Sequence, residues 1–390
     1  MGAPTTDFYG LEGLLDDDER QILLGMREFL AREVAPIITD HWVRATFPFE
    51  IVPGLAALGT AGLAFDGPGG GRRRFLLDGM LAMEMARVDP SIATFHGVHS
   101  GLAMGSIQLC GSEEQKERWL PAMARWEKIG AFGLTEPDAG SGAAGGLTTT
   151  ATRDGDEWVL DGEKKWIGNA TFADLTIIWA RDTASDEVLG FVVEKDTPGF
   201  STEAIGDKIA LRVVQNAHIT LDGVRVPEAN RLQGANSFED TGRVLLMTRA
   251  GVAWMAVGCA LGAYEHALAY ATEREQFGQK IAGFQLIQDL LVQMLGNTTA
   301  SATLCVQLSQ LQDAGKATDA QASLAKAFCT VRMRETVGYA RELLGGNGIL
   351  LDHQVGRFVA DAEAIYSYEG TREINTLIVG RDITGIGAFV

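Results

Sequence analysis

The spacing of hydrophobic residues changes twice along the chain, and this constrains the fold more than any other feature. In residues 14–125 they recur every three or four positions, as at Ile22 and Met26, which is typical of amphipathic helices. In residues 128–235 apolar and polar residues alternate between turn signals such as "RDGDEW", which is typical of strands. The helical spacing returns after residue 238. We therefore expect helices, then a sheet, then helices.

This order predicts an α+β protein of three domains. Residues 1–127 form a helical domain. Residues 128–237 show no helical pattern between their strands, so a β-barrel or sandwich is favoured over a doubly wound sheet. Residues 238–390 contain long helical runs with short loops, which favours a four-helix bundle.

Charge and cysteine content argue against several classes of function. The 390 residues include 33 basic and 51 acidic ones, a net charge of −18, which disfavours a nucleic-acid or anionic-membrane surface. Four cysteines lie far apart without a CxxC spacing, so we expect no metal site and a reduced, cytoplasmic setting. Residues 1–20 show no targeting pattern, and the apolar stretch 250–263 is too short to span a bilayer, so we expect a core helix there and no membrane span.

Two weaker motifs carry no function. "GPGGGR" at 67–72 nearly matches a dinucleotide-binding loop, but Arg72 takes the last glycine position and no strand precedes it, so a plain loop is expected. His96 and His99 have helical spacing without a third ligand nearby, so we expect an internal or pocket-edge histidine pair rather than a metal site.

Four short stretches carry stronger signals. "FGLTEPDAGSG" offers backbone amides and short hydroxyls to an anionic or carbonyl-rich ligand, although a polar loop has the same composition. "KKWIGN" sets Trp166 near a glycine, which suits stacking on a flat cofactor as well as burial in a core. Arg274 in "TEREQFGQKI" stands at a helix end where it can meet a phosphate. "ELLGGNGI" has three glycines where the backbone can approach another group closely.

Glu369 is the residue that most needs an explanation. In "IYSYEGTREINTL" it follows Tyr366 and Tyr368 and precedes Gly370. A carboxylate among aromatic side chains is costly unless it has a task, and aromatic walls should raise its pKa. Gly370 is expected to permit a turn, and Thr371 to cap the helix that follows.

Taken together, these stretches resemble the acyl-CoA dehydrogenase family over residues 14–388. The motifs T-E-P-x-A-G-S, W-I-x-N, R-x-x-F-G, L-G-G-N-G and Y-E-G-T occur in the family's order and spacing. The sequence is most similar to the glutaryl-CoA dehydrogenase subgroup and to the related short-chain acyl-CoA oxidases. The resemblance implies the helix–sheet–helix architecture, FAD, an acyl-CoA thioester substrate, an electron-transfer flavoprotein as partner and a homotetramer.

The resemblance also implies roles for individual residues. Glu369 would take the α-proton of the thioester, with FAD as the hydride acceptor, and its backbone N–H would help to stabilise the enolate oxygen. The residues that it assigns to FAD are Phe132, Leu134, Thr135, Ser141, Trp166, Ile167, Gly168, Arg274, Phe277, Gln285, Glu342, Gly345, Gly346, Thr371 and Glu373. Those from Arg274 to Gly346 would hold the adenosine half of a neighbouring subunit's FAD. The residues that it assigns to the substrate are Thr94, Ser141, Arg249, Tyr368 and Gly370.

Two departures from the family pattern bear on the reaction. Gly168 stands where the family has a threonine whose hydroxyl bonds to flavin N5, which bears on oxygen reactivity. Ala93 stands where glutaryl-CoA dehydrogenases have an arginine for the distal carboxylate. We favour dehydrogenation of a short or branched acyl-CoA to the 2-enoyl-CoA. The alternatives are an acyl-CoA oxidase using O₂, a decarboxylating glutaryl-CoA dehydrogenase, an enzyme acting on acyl-carrier-protein thioesters, and a flavin-less binding scaffold.

Overall fold

The structure is a computed structural model of the chain and describes residues 6–68 and 73–388. Residues 69–72 of the glycine-rich stretch lie outside the described residues. Helices form the first and last parts of the chain and a seven-stranded sheet lies between them, as the hydrophobic spacing predicts. The α+β class with helical, sheet and helical domains is therefore confirmed, while the limits of the three domains stay predictions.

The first and last helices before the sheet begin at residues whose side chains satisfy free backbone N–H groups. The first starts after a capping box formed by Asp16 and Glu19, and the last starts after one formed by Ser112 and Gln115. These helices are α1 (Asp17–Phe29), α2 (Ala35–Arg44), α3 (Val52–Leu58), α4 (Phe75–Val88), α5 (Pro90–His96), α6 (Gly105–Cys110) and α7 (Glu113–Ala124). Two π-helical turns, Leu30–Val34 and Gly97–Met104, join α1 to α2 and α5 to α6.

The middle domain is a mixed sheet curled into a half-barrel. Its strands are β1 (Gly130–Gly133), β2 (Thr150–Asp154), β3 (Glu157–Gly168), β4 (Leu175–Asp182), β5 (Val188–Glu194), β6 (Phe200–Ala204) and β7 (Asn216–Pro227), with the short helix α8 (Ala143–Gly146) between β1 and β2. The order is β1-β4-β2-β3-β7-β6, with β5 also paired to β4, and only the β1–β4 and β2–β4 pairs are parallel. One face packs on the helical core through Ile177 and Trp179, and the other covers a second core around Phe191. The expected barrel or sandwich is thus a half-barrel that closes against the helices.

One long helix forms the centre of the last domain. The elements here are α9 (Phe238–Glu273), β8 (Glu275–Gln276), β9 (Gln279–Lys280), α10 (Gln285–Asp313), α11 (Asp319–Leu343), α12 (Val355–Ser367) and α13 (Arg372–Thr384). The expected core helix at 250–263 is the middle of α9, which has 36 residues. An 18-residue window of α9 has a mean hydropathy of 1.7, enough by length and composition to cross a membrane, but 78% of that window is buried inside the protein. Such burial is typical of a core helix.

Helix α9 lies directly against the backbone of α4. A Cβ atom at Gly258 would lie 2.1 Å from the carbonyl oxygen of Met83, and one at Gly262 would lie 2.3 Å from that of Arg87. Carbon and oxygen atoms do not approach so closely, so both positions require the absence of a side chain. This contact sets the distance between the first and last helical domains.

Buried charges tie α12 to both other domains. Arg357 donates to the carboxylate of Asp89 at the start of α5. Asp361 accepts hydrogen bonds from Trp42 Nε1 at 3.1 Å and from the backbone N–H of Leu211 at 2.6 Å. Burial raises the pKa of Asp361 to about 8, and repulsion from Asp89 adds to the rise. Because α12 leads directly into the turn that carries Glu369, these contacts help to position that turn.

We expect Gly258→Ala to lower the melting temperature, because its methyl group would meet the Met83 carbonyl oxygen at 2.1 Å. Overpacking of this kind costs about 1–3 kcal/mol. The control is Gly338→Ala on α11, where a Cβ meets nothing within 4 Å. Alanine there raises helix propensity by up to about 1 kcal/mol, so the control keeps or gains stability. Thermal unfolding of both variants measures the difference, and an unchanged melting temperature for Gly258→Ala would contradict the packing argument.

Candidate active site

The turn between α12 and α13 holds Glu369 in an uncommon backbone conformation. Its φ is +51°, and that of Gly370 is +81°. A positive φ costs free energy for a residue with a side chain, and such residues cluster at functional sites. Thr371 caps α13 as expected, accepting a hydrogen bond from the N–H of Ile374 at 3.3 Å. Asn375 Nδ2 donates to the Gly370 carbonyl at 2.9 Å and closes the turn.

A buried amine holds this turn from the side of α11. Lys326 is fully buried, and its Nζ donates to the carbonyl oxygens of Tyr368 and Gly370, the residues on either side of Glu369. Burial lowers the pKa of Lys326 to about 7, although the nearby Glu369 carboxylate opposes the change. The two hydrogen bonds from Lys326 stabilise the strained backbone conformation of Glu369.

Lys326 is a functional candidate that sequence reasoning missed. It lies in "SLAKAFCTV" on α11, a run in which small and apolar residues repeat at helical spacing. A lysine at an inward position of such a helix is the one signal that points to it, because lysine is rarely fully buried without a partner. Its partners are carbonyl groups 42 and 44 residues away in the sequence, which no local pattern indicates.

The Glu369 carboxyl group is shielded from water and incompletely paired. Its Oε2 atom is buried and has no hydrogen-bond partner within residues 6–68 and 73–388. Burial raises the pKa of Glu369, while Thr248, Lys326 and Arg249 oppose the rise. A carboxylate with a raised pKa and a free oxygen is suited to accept a proton.

The two tyrosines do not enclose Glu369 in the way that the sequence suggested. Tyr366 turns away: its hydroxyl donates to Glu373 at 3.4 Å, and its ring centre lies 4.5 Å from the guanidinium of Arg334. The Tyr368 hydroxyl donates to the sulfur of Met255 at 3.6 Å. The expected aromatic wall at Tyr366 is therefore wrong, because the end of α12 directs that side chain toward α11 and α13. The surrounding helices provide the shielding instead.

Glu369 opens into a cavity between α4, α5, α9 and α10. Its walls are mainly apolar, as at Ala82, Ala93, Val252 and Met255. The described residues that line it include no lysine or arginine. A carboxylate base and an apolar pocket thus share one cavity, which suits a neutral acyl chain.

The substrate candidates other than Ser141 lie around this cavity without lining it. The Thr94 hydroxyl donates to the Pro90 carbonyl at 2.9 Å, within α5. Arg249 is buried and pairs with Asp319 at the start of α11, so its charge acts on Glu369 from behind the cavity wall. Tyr368 and Gly370 contribute the carbonyls that bind Lys326, and Ser141 is exposed in the loop after β1. Their roles toward a substrate stay predictions.

Both histidines are internal, as expected. His96 lines the cavity, and its Nε2 lies 3.2 Å from Thr60 Oγ1. His99 Nδ1 accepts a hydrogen bond from the Gly130 N–H at 2.9 Å. The proton of His99 is therefore on Nε2, which donates to the Met123 carbonyl at 3.0 Å. Burial lowers the pKa of His96 to about 4 and that of His99 to about 3. Neither is a cation at neutral pH. The described part of the chain contains no group of three or more His, Cys, Asp or Glu that could hold a metal.

Glu136, in the first candidate stretch, is unsuited to act as a base. Its carboxylate accepts from Lys164 Nζ at 2.8 Å and from the N–H groups of Thr148 and Thr149 at 2.6 and 2.9 Å. Burial raises the pKa of Glu136, but the charge of Lys164 and the hydrogen bonds outweigh it, so the pKa falls to about 2. The residue fastens its loop to the sheet.

Six cofactor candidates come together where β1 and the loop after it meet β3. They are Phe132, Leu134, Thr135, Trp166, Ile167 and Gly168. The carbonyl of Thr135 accepts from the N–H of Lys165 at 2.8 Å, which sets it next to Trp166. A bulge between Lys164 and Ile167, with φ of +67° at Trp166, turns the indole outward, and it is 53% exposed. The alternative of a core tryptophan is therefore wrong.

The other cofactor candidates of the last domain cluster at the C-terminal end of α9. Arg274, Phe277, Gln285, Glu342, Gly345 and Gly346 are all exposed. Asn347 Nδ2 donates to the Tyr270 hydroxyl at 2.9 Å, which joins the glycine turn to α9. Phe277 and Gly278 form the tight turn between β8 and β9 with φ of +52° and +80°. Phe277 is 93% exposed and Leu286 82% exposed, so this end presents an uncovered apolar surface.

These features fit a bound flavin dinucleotide. Trp166 presents an exposed planar face on β3, and Phe132 and Leu134 are buried on β1 and directly after it. A Cβ at Gly345 or Gly346 meets nothing within 4 Å, so the backbone there is accessible to a ligand. The guanidinium of Arg274 makes no ion pair with any residue the structure describes and is available to a phosphate. Thr371 caps α13 and Glu373 lies in its first turn, shortly after Glu369.

Three family models match the chain in sequence order. They are the acyl-CoA dehydrogenase N-terminal domain at residues 16–127, the middle domain at 131–224 and the C-terminal domain at 238–384. Together they cover most of the chain.

Individual relatives agree with the family models. An acyl-CoA dehydrogenase of Bacillus subtilis is 33% identical over 366 residues, which cover 92% of this chain and 96% of that protein. A glutaryl-CoA dehydrogenase structure from Mycobacterium smegmatis superposes with a TM-score of 0.94 at 39% identity, covering 98% of this chain and 99% of that one. A second from the same organism, in complex with FADH2, gives 0.95 at 35% identity and covers 99% of both chains. The chain therefore belongs to the acyl-CoA dehydrogenase family and is an FAD-dependent enzyme.

Proposed function

We propose that the enzyme oxidises a short or branched acyl-CoA to the 2-enoyl-CoA, with Glu369 as the base that takes the α-proton. The observation that carries the proposal is the buried Glu369 Oε2, which has no partner in the described chain and belongs to a residue lining the apolar cavity. A buried carboxylate without a partner is unfavourable, so it persists where a ligand completes its surroundings.

The residues around Glu369 adjust its basicity. Burial raises its pKa, and the positive charges of Lys326 and Arg249 limit the rise. An acyl chain that fills the cavity expels water and raises the pKa further, toward the range in which a general base is effective. The Glu369 N–H donates to no group within residues 6–68 and 73–388, so it is free to bond to the thioester oxygen as negative charge develops there.

We assign the flavin part of FAD to the place where β1 and the loop after it meet β3, and its adenosine half to the end of α9 in a second copy of the chain. When bound, FAD supplies the acceptor for the β-hydride. Thr135, Trp166 and Gly168 would contact the ring system, and Ser141 the pyrophosphate. The second copy would hold the adenosine half with Arg274, Phe277, Gln285, Glu342, Gly345 and Gly346.

The partners follow from the same surfaces. We propose a homotetramer, supported by the exposed apolar side chains of Phe277, Leu286, Val292 and Ile349, which are 93%, 82%, 68% and 67% exposed. We further propose an electron-transfer flavoprotein as electron acceptor and a cytoplasmic location. An acyl-carrier-protein thioester stays an alternative substrate, since the acyl chemistry is identical.

One observation favours a second candidate, an oxidase that uses O₂. Gly168 has no side chain and therefore no hydroxyl to bond to flavin N5, which bears on the reactivity of the reduced flavin with oxygen. If hydrogen peroxide forms in air at the same rate as the enoyl-CoA, the enzyme is an oxidase. Turnover that requires an electron-transfer flavoprotein or an artificial acceptor identifies a dehydrogenase.

The Glu369→Gln variant tests the base. Glutamine preserves the size of the side chain and cannot take a proton, so we expect flavin reduction by butyryl-CoA to slow by roughly 10²–10⁴-fold while FAD stays bound. The control is Glu363→Gln, an exposed carboxylate on α12 that pairs with Arg334. Anaerobic bleaching of the flavin absorbance measures the rate. Near-normal bleaching in Glu369→Gln would assign the base to another residue.

Lys326→Met tests the support of the turn. Activity is lost as pH falls through the pKa of Glu369, because the base must be ionised. The Lys326 charge lowers that pKa, so its removal should move the acid limb of kcat/KM to higher pH. Loss of both hydrogen bonds to the turn should also slow the reaction by about tenfold or more, as for a bond to a charged group. Lys316→Met, at an exposed lysine, is the control. A purely structural role would lower stability and leave the acid limb in place.

We expect glutaryl-CoA to be a poor substrate, although glutaryl-CoA dehydrogenases are among the similar structures. Its distal carboxylate would enter a cavity whose described walls carry no lysine or arginine and whose histidine, His96, is neutral. Burial of an unpaired charge costs several kcal/mol. Butyryl- or isobutyryl-CoA should exceed glutaryl-CoA in kcat/KM by at least about tenfold. If glutaryl-CoA is faster and yields crotonyl-CoA and CO₂, a cation from elsewhere reaches the cavity.

A further inference from the structure

One side of the cavity carries polar groups that the proposed reaction does not use. Asp78 on α4 and Ser309 and Gln312 on α10 line the same cavity as Glu369. We call these three residues the polar wall. Their side chains form no hydrogen bond to one another. The remaining lining residues are mostly small or apolar.

Two contacts hold the parts of the polar wall together. The N–H of Phe75 donates to Asp313 Oδ1 at 2.9 Å, which fixes the start of α4 to the end of α10. Asp78 lies about one helical turn after Phe75, on the same side of α4. Trp254 Nε1 donates to Ser309 Oγ at 3.0 Å, and the indole packs on Gly79, where a Cβ would lie 2.1 Å from Nε1. The residue after Asp78 therefore touches the ring that binds Ser309.

The Asp78 carboxylate is partly buried although the described part of the protein around it provides no partner for it. It is half-buried and has no hydrogen bond or ion pair with any residue in the described ranges. Its place in the first turn of α4 favours a negative charge through the helix dipole, but an exposed position would serve that purpose equally well. Burial raises the pKa of Asp78 to about 7. A carboxyl group in an apolar cavity is unfavourable unless a ligand bonds to it.

The polar wall offers both acceptors and donors. Asp78 accepts hydrogen bonds when ionised, and the Gln312 amide both accepts and donates. The Ser309 oxygen accepts from Trp254, so its O–H is left to donate. A hydroxyl group matches this set because it donates one hydrogen bond and accepts another. A carboxylate does not match, since Asp78 would repel it.

We propose that the polar wall recognises a hydroxyl group near the end of the acyl chain, so that the preferred substrate is a hydroxyacyl-CoA rather than a plain or dicarboxylic one. This inference rests on the proposed function, because it assumes that the cavity takes the acyl chain. It adds Asp78 as the residue that determines specificity, while Glu369 performs the chemistry.

The test compares 6-hydroxyhexanoyl-CoA with heptanoyl-CoA, which have the same number of non-hydrogen atoms. Wild-type holoenzyme should prefer the hydroxyacyl thioester in kcat/KM. In Asp78→Leu the ratio of kcat/KM for 6-hydroxyhexanoyl-CoA to kcat/KM for heptanoyl-CoA should fall by at least about tenfold, the effect of one hydrogen bond to a charged group. We expect kcat/KM to fall for the hydroxyacyl thioester and to rise for heptanoyl-CoA. Asp78→Asn, which keeps an acceptor, should fall between the two. Asp289→Leu, at an exposed position of α10, should leave the ratio unchanged.

Calorimetry on the Glu369→Gln holoenzyme measures how tightly each thioester binds without turnover. The same titrations on the double variant Glu369→Gln/Asp78→Leu show how much of that binding depends on the polar wall. Tighter binding of the hydroxyacyl thioester that Asp78→Leu removes would support the inference. Equal dissociation constants, or a preference that survives Asp78→Leu, would overturn it even if the enzyme dehydrogenates both. If neither thioester reduces the wild-type flavin, the proposed reaction fails, and the binding result still decides the role of Asp78.

Discussion

The close contact between α4 and α9 is the constraint on which the rest of the structure depends. Gly258 and Gly262 let the backbones meet, and no larger residue fits at either position. With these helices fixed, residues of α9 from Met247 to Met255 and residues of α4 from Phe75 to Ala82 line the same cavity. The far end of α9 places Tyr270 against the glycine turn at Gly345–Ile349. One helix therefore relates the acyl cavity to the surface that we assign to the second copy's cofactor.

Opposing effects set the pKa of Glu369. Burial favours its protonated form, and the cations of Lys326 and Arg249 favour the ionised form. Lys326 also holds the carbonyls on both sides of Glu369, so one buried amine maintains the strained backbone and limits the pKa. The lysine is itself weakened as a base by burial, which lowers its pKa to about 7. Since each group's charge depends on the other, substitution of either should change the electrostatics of both.

The sequence predicted the features that depend on local patterns. The helix–sheet–helix order followed from hydrophobic spacing, and the cap at Thr371 followed from its residue type. What it missed depends on contacts between distant segments. The sequence left open whether Trp166 is outward-facing or buried, and a bulge set by pairing with β7 turns it outward. Tyr366 turns away from Glu369 because of where α12 ends. Lys326 and Asp78 have ordinary local explanations, as a helix former and a first-turn acid, and acquire another role only when α11 meets the turn and α4 meets α10.

The central claim is that Glu369 takes a proton from the α-carbon of a thioester bound in the cavity. Acetyl-CoA isolates this step, because it has α-protons and no β-carbon from which a hydride can leave. Incubation of the holoenzyme with acetyl-CoA in D₂O, followed by mass spectrometry of the thioester, measures deuterium entry at the α-carbon. The account predicts exchange well above the enzyme-free rate with the wild type and none above it with Glu369→Gln. Equal exchange in the two proteins would contradict it.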